Sequence, residues 1–191
     1  MSKICTSYEQ VSRAYNKVCK ELWNLGVLWE GSKLDKVQCI YDPLEWRGLI
    51  GWMGFYQYRD KSIHFPAVYN GLDWSLGWTD KNSTVDVLRH EFGHALAHRY
   101  PQELRGGDVF KKAFGGAYGT NRAKGTDPDE WEGRCVSGYA ATATQEDFAE
   151  TFMLFVKHKG NIPAKFSKKP AIRKKWKAVA EIIRRVSRCS R

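Results

Sequence analysis

Apolar residues recur every three or four positions near both ends of the chain, which is the period of an amphipathic helix. Near the N-terminus this pattern covers residues 7–24, where Ser7 and Gln10 also have the spacing of a capping box. Near the C-terminus a second helix is predicted from about Pro170. Its apolar positions are Ile172, Trp176, Val179, Ile183 and Val186. The apolar face of this second helix therefore needs a partner surface.

Alternating side chains between these helices predict three strands. Residues 36–41 alternate and end before Pro43. Residues 55–58 and 62–65 are separated by three charged residues, which is typical of a hairpin. Proline cannot donate a hydrogen bond to a sheet, and Pro66 follows the second arm directly. We therefore expect that arm to be an edge strand.

A helix with capping signals is predicted over residues 84–100. Ser83 and Asp86 have the spacing of an N-terminal cap and its partner, and Pro101 stops the helix. A further helix is predicted from about Thr144 to His158. The order of helix, strands and helices indicates an α+β domain.

The composition is that of a globular domain with a basic C-terminus. A length of 191 residues suits one domain over residues 1–191, and hydrophobic residues at 42% supply a sizeable core. Residues 157–191 hold 13 Lys or Arg and one acid, so they carry +12 while the rest of the chain carries −2. The basic helix over residues 165–191 is expected to pack on the domain or to trail it. A weak contact with nucleic acid or an anionic surface is possible through its charged face.

The sequence carries no targeting or membrane signal that we recognise. No uncharged apolar run reaches 18 residues, so no transmembrane segment is predicted. Glu9 and Arg13 interrupt the first residues before the apolar region of a signal peptide could form, which predicts a cytoplasmic location. The five cysteines form no CxxC pair, so reduced thiols are expected.

The strongest chemical signal is the sequence His-Glu-Phe-Gly-His at residues 90–94, inside a predicted helix. Histidines four residues apart lie on one helical face, where His90 and His94 can both bind one Zn²⁺ at roughly 2.0–2.1 Å. Glu91 would then lie beside the metal and could take a proton from a water that the zinc activates. The pattern predicts a catalytic zinc site.

A catalytic zinc needs a third protein ligand. Glu146 and Glu150 are four residues apart on a predicted helix, so one can bind the metal while the other accepts a hydrogen bond from a ligand histidine. His98 follows His94 by one turn, but three ligands along a straight helix would diverge from one ion. We therefore expect His98 to lie outside the ligand set. Position 100 is Tyr100 and not histidine, so the metzincin pattern is absent.

Three segments together resemble the catalytic domain of anthrax lethal factor and its relatives, which include small secreted Pro-Pro endopeptidases. These segments are residues 90–94, 139–142 and 146–152. In that group a tyrosine lies seven residues before the ligand glutamate, as Tyr139 precedes Glu146 here. The resemblance implies a zincin-like fold with a small twisted sheet, an active-site helix and a downstream helix that bears the glutamate.

The resemblance also implies a role for each site residue and a protein or peptide as substrate. Zn²⁺ would be bound by His90, His94 and Glu146. Glu91 would be the general base, Tyr139 would stabilise the oxyanion or protonate the leaving amine, and Glu150 would orient His90. Peptides would pair along the hairpin at residues 54–65. The export signals of the secreted members are absent here, so their proline preference and extracellular action are not carried over.

Three alternatives stay open. Intracellular proteases of the ImmA/IrrE type are favoured by His98 and by the lack of a recognisable signal peptide. The Tyr139 offset and the 52-residue gap from His94 to Glu146 favour the lethal-factor pattern. Proteases of the Spartan/SprT type would use the basic C-terminus, but they need a downstream histidine ligand, for which only His98 and His158 remain. The third alternative is a basic nucleic-acid-binding protein with a vestigial zinc site.

Overall fold

The computed structural model describes residues 3–42, 54–66, 68–70, 83–105, 108–122 and 131–188. Within these residues the chain forms five strands and seven helices. The strands are β1 (Lys3–Cys5), β2 (Gln38–Asp42), β3 (Phe55–Gln57), β4 (Ser62–Pro66) and β5 (Val68–Asn70). The helices are α1 (Tyr8–Asn24), α2 (Thr84–Arg99), α3 (Pro101–Arg105), α4 (Val109–Phe114), α5 (Thr144–Lys157), α6 (Ala164–Ser167) and α7 (Pro170–Arg188). The mixed composition confirms the predicted α+β class.

Helix α1 begins where its sequence signal predicts. The Ser7 hydroxyl accepts a hydrogen bond from the Gln10 amide at 3.2 Å, and the Gln10 side chain accepts one from the Ser7 amide at 2.8 Å. This capping box satisfies two amides that a helix start otherwise leaves without partners. The apolar face of α1 is buried and packs on α2.

Strand β4 is the centre of a three-stranded sheet and not its edge, so the prediction from Pro66 is wrong. The described strands lie in the order β2-β4-β3, with β4 antiparallel to β3 and parallel to β2. Pro66 occupies the last position of β4, opposite Asp42, where its missing N–H interrupts no further pairing. A separate antiparallel pair joins β1 and β5.

Helix α2 is buried along most of its length. The Ser83 hydroxyl caps it by accepting from the Asp86 amide at 3.3 Å. The Asp86 carboxylate does not complete a capping box, because it pairs with Arg89 at 2.5 Å and Lys157 at 2.8 Å. Thus Asp86 joins α2 to the end of α5.

Helices α2 and α5 approach closely at Gly93. A Cβ atom on Gly93 would lie 3.1 Å from the Ala149 Cα and 3.2 Å from the Phe152 ring. These distances are tighter than ordinary van der Waals contact, so glycine permits the close approach. The histidines of α2 are thereby brought beside the glutamates of α5.

Helix α7 packs its predicted apolar face on the rest of the described chain. The side chains of Ile172, Trp176, Val179, Ile183 and Val186 are all buried. The Trp176 indole also donates to the Gly160 carbonyl at 2.8 Å. In the described residues, no helix combines the length and the apolar character needed to cross a membrane.

Two short helices follow α2 that the sequence pattern did not predict. Pro101 ends α2, as expected, but it also begins α3, because the first helical turn tolerates a residue without an N–H. Helix α4 carries the buried Phe110 and Phe114. Residues 115–122 form turns, and Asn121 forms an isolated β-bridge with Ala143.

Candidate metal centre

Two histidines of α2 and one glutamate of α5 converge on a single point. The Nε2 atoms of His90 and His94 are 3.0 Å apart, and the Glu146 Oε2 lies 3.2 Å from the first and 3.3 Å from the second. In a tetrahedral site with ligand distances of 2.0–2.1 Å, neighbouring ligand atoms lie about 3.3–3.4 Å apart. The three atoms therefore fit one face of a tetrahedral zinc site.

Glu150 contacts the other ring nitrogen of His90. Its Oε1 accepts from the His90 Nδ1 at 2.8 Å, while the Ser137 hydroxyl donates to its Oε2 at 2.9 Å. The bond to Nδ1 directs the His90 Nε2 toward Glu146 and His94. The two glutamates thus have different positions, although they lie one turn apart on the same helix.

Glu91 lies beside this group and is anchored by the sheet. Its Oε2 accepts from the backbone amide of Tyr56 in β3 at 2.7 Å, and the side chain is buried. Burial raises the pKa of Glu91, and the charge of Glu146 also raises it, whereas His90 and His94 act in the opposite direction. A raised pKa brings a carboxylate closer to the range in which it exchanges protons at neutral pH.

The charges of the ligand group are strongly coupled. Burial alone would lower the pKa of His90, but hydrogen bonds to Glu146 and Glu150 raise it to about 10. Burial would raise the pKa of Glu146, but hydrogen bonds from His90 and His94 hold it well below its ordinary value. Without a metal, positive charge on the His90 imidazole offsets the charge of the neighbouring carboxylates, and a divalent cation can take that place.

Tyr139 lies in a single turn of 3-10 helix at Tyr139–Ala141, next to His90. The two ring centroids are 5.8 Å apart. Burial and the negative charge of Glu146 raise the Tyr139 pKa, so the phenol keeps its proton at neutral pH and can donate a hydrogen bond. Hydrogen bonds from Ala140 to Ser137 and from Thr142 to the Tyr139 carbonyl hold the turn in place.

A buried ion cluster contacts the turn that carries Tyr139. The Asp147 carboxylate is fully buried and accepts from Arg122 at 2.7 Å and from Lys175 of α7 at 2.5 Å. Arg122 also donates to the Ala140 carbonyl at 3.3 Å, and Lys175 to the Arg134 carbonyl at 2.5 Å. The cluster therefore joins α5, α7 and the segment that carries Tyr139.

Two contacts of the site were not anticipated. Tyr118 lies in a turn that follows α4, and its hydroxyl is 2.8 Å from the His94 Nδ1. No periodicity or motif marks Tyr118, so only its position in space identifies it. His98 lies outside the ligand group, as expected, and its Nδ1 is 3.0 Å from the hydroxyl of Tyr56.

Two histidines one turn apart and a carboxylate from a second helix form a group that could hold a metal ion, with the ligand types found in zinc hydrolases. In agreement, residues 80–178 match the model of a family described as "Putative zinc-binding metallo-peptidase". The match covers just over half of the chain, and the chain belongs to this family of zinc-binding metallopeptidases. No curated protein and no solved structure shows significant similarity to the chain.

Proposed function

We propose that this protein is a zinc endopeptidase in which His90, His94 and Glu146 bind the metal and Glu91 is the general base. The observation that carries the proposal is the convergence of the three ligand atoms at 3.0–3.3 Å with the buried Glu91 beside them. Membership of a zinc-binding metallopeptidase family supports the same reaction class.

When bound, zinc supplies a Lewis acid that polarises the peptide carbonyl and lowers the pKa of water. The chain itself handles the proton. The Tyr56 amide occupies the Oε2 of Glu91, which leaves Oε1 to accept a proton from the attacking water and to pass it to the leaving amine. Anchoring by a backbone amide costs no reorganisation during the reaction, because β3 already holds that amide in place.

Tyr139 and Glu150 assist from the His90 side. Tyr139 keeps its proton and donates a hydrogen bond to the negative charge that develops on the carbonyl oxygen, or protonates the leaving amine. Glu150 acts through His90, whose ring it orients at 2.8 Å. These roles are those that the lethal-factor-like resemblance implies, and we extend that resemblance to a gluzincin-type, zincin-like architecture.

The substrate is proposed to be a protein or peptide that pairs along β3. In the described part of its sheet, β3 is one of the two outer strands, and it is the one that lies beside Glu91, which its Tyr56 amide contacts. An extended peptide added at such an edge gains main-chain hydrogen bonds whatever its side chains. The hairpin at residues 54–65 thus keeps its proposed role in substrate binding, but the edge strand is its first arm, β3, and not its second arm, β4.

Contacts of the remaining histidines weigh against the Spartan/SprT alternative. His98 is engaged by Tyr56, and His158 lies at the end of α5 opposite to Glu146. The Glu146 carboxylate already lies 3.2–3.3 Å from the Nε2 atoms of His90 and His94, so neither histidine is needed as a third ligand. The observed group also differs from that of a vestigial site, because the base, the ligands and the orienting Glu150 are all present and buried or partly buried.

The decisive test is Glu91→Gln in the zinc-loaded protein. Glutamine can still accept from the Tyr56 amide, so the variant should keep about one zinc per chain. Hydrolysis of a mixture of denatured proteins, followed by mass spectrometry of the fragments, should fall about 10²–10⁴-fold. Glu30→Gln changes an exposed glutamate and should leave both quantities unchanged. Equal cleavage by the Glu91→Gln and parent proteins would refute the mechanism.

A further inference from the structure

A cavity of about 460 Å³ lies between α4, α7 and the turn that carries Tyr139. Pockets that hold small organic molecules have volumes in this range. Its walls come from the end of α4, the start of α7, the segment around Cys135 and the end of the turn at Ala141. None of the residues that we propose to bind the metal or to act on the substrate lines it. The cavity is therefore separate from the site described above.

The cavity wall carries more positive than negative charge. Arg122 and Lys175 both line it, and the side chain of Lys175 is buried. Both cations bond the same oxygen of Asp147, its Oδ2, at 2.7 and 2.5 Å. Two cations and one carboxylate leave a net charge of +1, and among the described lining residues there is no further carboxylate. The exposed Arg134 adds a third cation to the lining, where solvent screens its charge.

Arg122 has hydrogen-bond donors that the described chain does not use. A guanidinium carries five N–H groups on three nitrogen atoms. The Nη1 of Arg122 bonds Asp147 and the Ala140 carbonyl, and one Nη2 hydrogen goes to the Phe114 carbonyl. Within the described residues nothing accepts from the Nε–H or from the second Nη2 hydrogen. Two N–H groups on neighbouring nitrogen atoms match the two oxygens of a carboxylate.

The remainder of the lining is mostly apolar. Phe114 and Trp131 supply aromatic rings, and the short side chains of Ala113 and Ala171 leave the space between them open. An inorganic anion would leave these walls in contact with water, whereas an organic anion would cover them and gain the free energy of apolar burial. The combination of one cationic anchor with apolar walls favours an organic anion.

We propose that this cavity is a binding site for a small organic carboxylate. Arg122 binds the carboxylate, and the apolar body of the ligand lies against Phe114 and Trp131. The net charge of +1 at Arg122, Lys175 and Asp147 suits a ligand with a single negative charge. The site is independent of the proposed function, because no residue of the metal centre contributes to it.

Phenylacetate is the probe, and its neutral amide, phenylacetamide, is the matched control. In calorimetric titration of the purified full chain, phenylacetate should bind at one site with a Kd on the order of 1 mM. Phenylacetamide should bind about tenfold more weakly or worse, because it lacks the charge that Arg122 recognises. Inorganic phosphate should also bind more weakly than phenylacetate, because it has no apolar body to cover the walls.

Two variants locate the bound probe. Ala171→Leu fills part of the cavity from α7 and leaves the ion cluster intact, so it should weaken phenylacetate binding about tenfold or more. Arg122→Lys keeps a cation beside Asp147 but loses the planar pair of donors, and it should have a similar effect. Ala164→Leu adds the same side chain at an exposed position of α6 and should bind phenylacetate as the parent does. Circular dichroism checks that each variant is folded.

Each alternative outcome would overturn the proposal. If the parent does not bind phenylacetate, or binds phenylacetamide equally well, the cavity is not a carboxylate site. Tighter binding of phosphate than of phenylacetate would exclude an organic ligand as the preferred one. Equal affinity of the parent and a folded Ala171→Leu protein for phenylacetate would place the probe elsewhere on the chain, and Ala171→Leu decides this point even if Arg122→Lys does not fold.

Discussion

Glu146 and Glu150 share a helical face but have different partners, and this difference can be measured. Glu146 lies within 3.3 Å of the Nε2 atoms of both histidines, whereas Glu150 contacts His90 through its Nδ1 and does not contact His94. Glu146→Ala should lose zinc during dialysis, because two histidines alone form a weak site. Glu150→Ala should keep zinc with an affinity lower by about 10–100-fold. Zinc content and chelator competition measure both; the reverse pattern would exchange the two roles.

Tyr139 is expected to act on turnover alone. Tyr139→Phe keeps the ring beside His90 and removes the hydroxyl, so zinc content and stability should be unchanged while kcat falls about 10²–10³-fold, or about 3–4 kcal/mol. Tyr15→Phe provides the contrast. The Tyr15 hydroxyl donates to the Val37 carbonyl at 2.6 Å and not to a residue of the candidate site. Its loss should therefore cost about 1 kcal/mol of stability and leave kcat unchanged. A kcat within twofold of the parent would exclude Tyr139 from catalysis.

At the scale of elements, α7 is attached to α5 by charge as well as by apolar packing. Lys175 is buried and contacts Asp147, the residue next to Glu146. Lys175→Met should lower the free energy of unfolding by about 2–3 kcal/mol, at or below the low end of what breaking a buried ion pair costs, because Arg122 still pairs with Asp147. Urea unfolding monitored by circular dichroism measures this change.

Lys177 offers a matched control on the same helix. It carries the same side chain two residues away but is exposed, so Lys177→Met should change stability by no more than about 0.5 kcal/mol. A similar loss in both variants would mean that the buried cluster contributes nothing particular, and that Met is simply unfavourable on α7.

At the scale of the whole molecule, part of the excess positive charge of the C-terminal region lies on the exposed face of α7. The apolar face is packed, and the exposed basic residues include Arg173, Lys174, Lys177 and Arg184. Such a face is compatible with a weak contact to nucleic acid or an anionic surface, which stays a prediction. A contact of this kind would weaken steeply with salt.

The pairing of Glu21 with Arg89 joins α1 to α2 and makes stability depend on pH. Burial would raise the Glu21 pKa, but the hydrogen bonds and charge of Arg89, at 2.7 Å, lower it below the usual 4.5. A lowered folded-state pKa stabilises the protein above pH 4.5, and this contribution disappears as the pH falls through the folded-state value. The parent should therefore lose stability on acidification faster than a protein without Glu21.

Glu21→Gln tests this directly. The variant should be less stable than the parent by about 1–2 kcal/mol at pH 7, and the gap should be smaller near pH 3, because the contribution of the ion pair declines once the pH falls below 4.5. Urea unfolding at both pH values measures the gap, with the exposed Glu30→Gln as control. A gap of the same size at both pH values would mean that the substitution acts through packing and not through the ion pair.

Local patterns anticipated the features that depend on residues a few positions apart. The capping box of α1, the apolar face of α7 and the common face of His90 and His94 all follow from helical geometry, which repeats every 3.6 residues whatever lies around it. The pair of histidines proposed to bind zinc was therefore evident in the sequence alone, and the match to a family described as zinc-binding agrees with a zinc site.

Features that depend on distant segments required the fold. Parallel pairing of β2 with β4 turned a predicted edge strand into a central one, because strand order depends on which segments meet and not on their own residues. Spacing on one helix left Glu146 and Glu150 equivalent, and the approach of α5 to α2 at Gly93 made them different. Tyr118 reaches His94 across 24 positions of sequence, and Lys175 reaches Asp147 across 28. Such contacts arise from chain packing, which no local pattern encodes.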